Sequence, residues 1–121
     1  MTPRRILFLL LQILATIQLV VGIAMWTGRW YSFRGMHMAV GIVFVLILWT
    51  IAVMALLKRQ RTGVALFALL WGIVVVALGM TQQSILPGDL HWIVRVLHVV
   101  VGVASMPIAA MLTVGPESKP A

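Results

Sequence analysis

Apolar residues run almost unbroken through four stretches of this chain, at residues 6–26, 36–57, 64–84 and 92–114, and polar residues gather between them. A helix rises about 1.5 Å per residue, so about 20 residues cross the hydrocarbon of a bilayer. The first, second and fourth runs reach that length directly. The third reaches it if its polar end, Thr81-Gln82-Gln83-Ser84, carries the helix on to the interface. The breaks contain Thr27-Gly28-Arg29, Lys58-Arg59-Gln60-Arg61-Thr62-Gly63 and Leu86-Pro87-Gly88-Asp89. These are short turn signals, so consecutive helices are expected to pack antiparallel. The expected fold is all-α: one integral-membrane, antiparallel four-helix bundle over residues 1–121.

Composition supports the membrane and narrows the partners. The chain is 63% hydrophobic and 9% charged, with a mean hydropathy of +1.14, which is far from a water-soluble domain. It has no cysteine, which excludes disulfides, c-type haem attachment and thiolate metal sites. Nine Lys and Arg against two acids give a net charge of +7. The cations stand at segment ends, where they read as topology signals and contacts to anionic lipid rather than to nucleic acid.

Arg4 and Arg5, the Lys58-Arg59-Arg61 cluster and Lys119 fall on one side of a four-span arrangement, which becomes the cytoplasm. The other side holds Arg29, Arg34, Arg95 and Asp89, together with Trp26, Trp30, Tyr31 and Trp92 as an interfacial aromatic belt. Both termini are expected in the cytoplasm, in a multi-pass protein of the cell membrane. Arg4-Arg5 before an apolar run resembles a signal peptide. The run is too long for one and no Ala-x-Ala site follows, so the first helix is expected to stay uncleaved. Residues 115–121 read as a short disordered tail.

Two spans carry the same signature, Arg-x-x-His-x-x-x-Gly: Arg34, His37 and Gly41 in one, Arg95, His98 and Gly102 in the other, 61 residues apart. With Gly22 and Gly79 similarly placed on the preceding helices, residues 1–60 and 61–121 read as two copies of a helical hairpin, related by a twofold axis along the membrane normal. The second and fourth helices then run parallel, and His37 and His98 face each other at one depth near the outer side.

Residues three and four apart share a helix face, so each signature forms a stripe. Two neutral imidazoles can ligate one iron from opposite sides. A glycine one turn deeper leaves room for a flat macrocycle, and an arginine one turn shallower can bind a propionate. Taken singly, an intramembrane histidine more often bonds a neighbouring helix and an arginine near a helix end snorkels to the surface. Two matched sets favour a haem b, with His37 and His98 as iron ligands and Arg34, Arg95, Gly41 and Gly102 around the ring. Another metal, such as copper with Met36, Met38 or Met106, is the narrower alternative; the eight methionines read mainly as packing filler.

His91 lies two turns above His98 with Arg95 between them, and is a further candidate for the cofactor site. It can bond a propionate, relay protons, line a quinone headgroup site or serve as an interfacial polar group. Gln12, Thr16 and Gln18 put polar atoms into the first helix; Gln12 and Thr16 share a face and read as a helix–helix hydrogen bond, with a quinone or proton pathway as the narrower alternative. No acidic residue lies inside any span, which disfavours a small four-helix proton-coupled exporter.

With these residues in view, the chain resembles the four-helix membrane b-type cytochromes and, more distantly, one half of a haem A synthase, whose histidines stand on the second and fourth helices as His37 and His98 do. The synthases carry a glutamate near the histidine of the second helix, and His37 has none. The resemblance therefore implies haem ligation without the synthase's oxidation chemistry. It implies one-electron transfer, with a quinone or redox protein as partner, alone, as a homo-oligomer or within a larger membrane complex, rather than a stand-alone enzyme. The alternatives are a haem-handling assembly protein and a cofactor-free accessory subunit.

Overall fold

In the computed structural model, which describes residues 1–114, four helices follow one another: α1 (Pro3–Trp26), α2 (Arg34–Leu57), α3 (Thr62–Thr81) and α4 (His91–Thr113). No strand occurs among the described residues. The expected tail lies outside them. All four helices are long and apolar enough to cross a membrane, and this is a multi-pass membrane protein by length and composition.

Local chemistry sets the ends. Pro3 occupies the first turn of α1, where a missing N–H costs nothing, and the Thr2 hydroxyl accepts from the Arg5 N–H at 3.3 Å. At the end of α2, the Arg59 N–H donates to Leu56 O and the Gln60 N–H to Ala55 O, both at 2.9 Å. This Schellman closure needs a left-handed residue, and Arg59 supplies it at φ 51°. Beyond α3 a 3-10 turn over Gln82–Ser84 continues the helical path, so the polar end of the third span is helical, though not α.

Each helix packs on its neighbours in chain order and α1 closes on α4. Across the diagonals α2 touches α4, whereas α1 and α3 do not meet. Arg4 ties one end together: its guanidinium donates to Leu112 O of α4 at 2.9 Å and to Gln60 Oε1 in the α2–α3 connection at 2.6 Å. At the other end Gln83 donates to the Tyr31 hydroxyl at 3.4 Å.

Packing divides the bundle in two. The buried core (Leu11, Val45, Leu48, Ile51, Ile108 and Leu112, with Ala52, Ala55, Ala65, Ala68 and Ala109) fills the half nearest Arg4. Small residues let helices approach closely without a water-driven hydrophobic effect. Gly72 takes this furthest, for the Trp49 indole lies where its Cβ would stand and donates to Leu69 O at 3.1 Å. Trp71 likewise joins α3 to α4 by donating to Val101 O at 3.0 Å. Outward, residues such as Ile13, Val20, Leu46, Leu70 and Val100 are exposed, as a lipid-facing surface requires.

Candidate functional site

In the other half the helices enclose a cavity of about 400 Å³, lined from all four. His37 of α2 and His98 of α4 face each other in it, with ring centroids 6.4 Å apart and ring planes inclined at 61°. They are held this close because α2 and α4 are the helices that meet across the diagonal.

A glycine on the preceding helix seats each imidazole. A Cβ at Gly22 would lie 3.2 Å from His37 Cε1, and one at Gly79 would lie 3.4 Å from His98 Cε1. A methyl at Gly22 would push the His37 ring back by a few tenths of an ångström, whereas one at Gly79 would just touch the His98 ring. The pairs α1–α2 and α3–α4 thus share a feature: a glycine on the first helix lies against a histidine on the second. Nδ1 of both histidines is buried with no hydrogen-bond partner, a costly condition for a polar atom.

Gly41 and Gly102 lie on the cavity wall one turn deeper, and they differ. A Cβ at Gly102 would meet nothing within 4 Å, whereas one at Gly41 would sit 2.8 Å from Gln18 Nε2. On the α2 side the room left by glycine is taken by a glutamine of α1; on the α4 side it is open. Gln18 Oε1 is a third buried polar atom without a partner.

Arg34, Arg95 and His91 line the same cavity nearer the helix ends. The Arg95 guanidinium lies 6.0 Å from the centroid of the Trp26 ring, within cation–π range. His91 Nδ1 lies 3.2 Å from Ile85 O, so the imidazole can donate from Nδ1 and keep Nε2 as an acceptor. All seven residues singled out from the sequence therefore border one space. Met38 and Met106 border it too; Met36 does not and is exposed.

Sequence reasoning missed Gln18 as a site residue and left Gly22 and Gly79 without a role. Spacing held the signal: Gln18 and Gly22 share a face four residues apart, opposite the His37–Gly41 stripe. Gln12 and Thr16 form no bridge between helices. The Thr16 hydroxyl donates to Gln12 O of its own helix at 2.9 Å, as hydroxyls in apolar helices commonly do.

Among the described residues no group of three or more His, Cys, Asp or Glu comes together. Among the described residues, the cavity offers a metal the two facing imidazoles, with His91 nearer the helix ends. The chain matches no protein family, no curated protein and no solved structure.

Proposed function

We propose that this chain is an antiparallel four-helix membrane cytochrome built from two repeated hairpins. It binds one haem b through His37 and His98 and serves one-electron transfer. The observation that carries the reading is the 6.4 Å between facing imidazole centroids. A ring nitrogen lies roughly 1.1 Å from its centroid, and a metal–nitrogen bond is about 2.0–2.1 Å, so two imidazoles on opposite sides of one metal have centroids about 6.3 Å apart. The donor set supports a haem over a bare ion, because a porphyrin brings four nitrogens of its own where the protein brings two. A haem held by His37 and His98 would supply a one-electron iron couple and, with both histidines bound, would suit electron transfer rather than oxygen binding.

The chain's own residues do the rest. Gly22 and Gly79 seat the ligand rings. Gly102 leaves open space on the α4 side, and Phe44, Val75 and Val103 give the cavity apolar walls. Arg34 and Arg95, nearer the helix ends, suit two propionates by charge-assisted hydrogen bonds. The Trp26 ring holds Arg95 in place. The cluster of Arg4, Arg5, Lys58, Arg59 and Arg61 at the other end favours a cytoplasmic location for that end, which supports a site near the outer face. A quinol or a redox protein is the electron partner that fits this position.

The test is an optical spectrum of detergent-purified protein after reduction. The sharp α band of six-coordinate low-spin haem is expected. His37→Ala or His98→Ala abolishes it, and His91→Ala leaves most of it. A purified, folded protein without that band after haem addition refutes the proposal.

A further inference from the structure

Gln18 and His37 stand at one α1–α2 contact, and each carries a buried polar atom with nothing to bond. Gly22 of α1 is level with His37, and Gly41 of α2 is level with the Gln18 carboxamide. Gln18 and Gly22 are four residues apart, as are His37 and Gly41. The carboxamide therefore sits about one helical turn, roughly 5.4 Å of rise, from the imidazole on the facing helix. A glutamine side chain can span that.

The two unsatisfied atoms complement each other. Gln18 Oε1 accepts only, and His37 Nδ1 donates in one of the two neutral tautomers. Leaving such atoms buried and unpaired costs about 1–3 kcal/mol each. The ring presents Cε1 and Nε2 to Gly22 of α1, so pairing the two atoms takes a turn of the imidazole as well as of the carboxamide. The second hairpin offers His98 nothing comparable. Val75 stands one turn before Gly79, as Gln18 stands one turn before Gly22, and it has no polar atom to give.

We propose that Gln18 is the positioning residue for His37: its carboxamide oxygen accepts a hydrogen bond from Nδ1–H of the imidazole. That bond selects the tautomer whose Nε2 lone pair is free for the cavity. The hydrogen bond and the tautomer stand independently of the haem; only the use made of Nε2 rests on the haem reading above. His37 and His98 are thus inequivalent ligands, one anchored through Nδ1 and the other not. An acceptor on Nδ1–H raises the basicity of a ligating imidazole, which favours ferric iron and lowers the reduction potential.

Two measurements test it. In haem-free protein in detergent, nitrogen-15 spectra of labelled histidine report the Nδ1–H tautomer of His37, assigned with the His37→Ala variant. Wild type is expected to hold that tautomer and Gln18→Leu to lose it; the same tautomer ratio in both overturns the proposal. In haem-loaded protein, Gln18→Leu raises the midpoint potential and weakens haem binding about 10–100-fold. Gln18→Glu keeps an acceptor and leaves the midpoint at or below that of wild type. No movement in the Leu variant, or an equal rise in the Glu variant, also overturns it. A chain that takes up no haem yet shows the Gln18-dependent tautomer refutes the haem reading and leaves this one standing.

Discussion

Substituting Gly22 by alanine isolates what the glycine seat does. The new Cβ would lie 3.2 Å from His37 Cε1, while a relaxed carbon–carbon contact is about 3.5–4.0 Å. The imidazole must therefore retreat by a few tenths of an ångström, a large part of the about 0.5 Å that a preorganised ligand set tolerates. At Gly79 the corresponding contact is 3.4 Å, an ordinary van der Waals distance that calls for no retreat. In the haem-free helix alanine is favoured over glycine by about 0.8–1.0 kcal/mol. That gain offsets most of the crowding, so haem-free stability changes little. Haem affinity is expected to fall about tenfold for Gly22→Ala, equivalent to about 1.4 kcal/mol, and less for Gly79→Ala. Gly35→Ala is the control, since a Cβ there meets nothing within 4 Å; it should leave haem binding unchanged. The assay is haem titration of cofactor-free protein in detergent, followed by absorbance, beside a denaturant titration of each variant. If Gly22→Ala binds haem as tightly as Gly35→Ala, the imidazole is not seated on Gly22 and the argument fails.

Two further predictions concern the scaffold. Gly72→Ala should destabilise the bundle by about 2–4 kcal/mol, because the added methyl displaces the Trp49 indole and its bond to Leu69 O; a denaturation midpoint equal to wild type contradicts this. Arg59→Gly should gain about 1 kcal/mol, because Arg59 sits at φ 51° where only glycine is unstrained, and a loss of stability in the same assay contradicts it.

Much of this architecture is legible in the sequence because a bilayer demands long apolar helices and leaves few alternatives. The expected spans differ from α1 to α4 by at most three residues at any end. The largest differences have local causes: Thr2 and Pro3 start α1 early, and Gln82–Ser84 tighten into a 3-10 turn. The repeated spacing also marked His37 and His98 as matched positions, and their rings are the ones that meet. What could not be read was which face of each helix turns inward. In water an apolar stripe answers that; in lipid both faces are apolar, and the stripe disappears. The polar residues of the first helix thus could not be sorted on paper, although Thr16 and Gln18 line the cavity and Gln12 does not. Contacts between distant helix ends, such as Arg95 with Trp26, depend on the closure of α1 on α4 and leave no local trace.

The uneven packing of the bundle follows from the same residues and bears on the site. A cavity at the centre of a small protein forfeits dispersion contacts along its whole lining, and four helices in lipid have no water-driven force to hold them around it. Here the alanine-rich half supplies the close contacts, and Arg4 ties α1 to α4 and to the α2–α3 connection. Trp49 and Trp71 each satisfy a buried indole N–H on a neighbouring helix, which fixes the helices against rotation as well as separation. Such a half can keep α2 and α4 in register while the other half stays open. The separation of His37 and His98 is then set largely by contacts that neither histidine makes. A site held in this way is preorganised by its scaffold, so the spacing of α2 and α4 should outlast the loss of a single side chain in the cavity wall, whereas the seat of each ring still depends on the glycine beneath it.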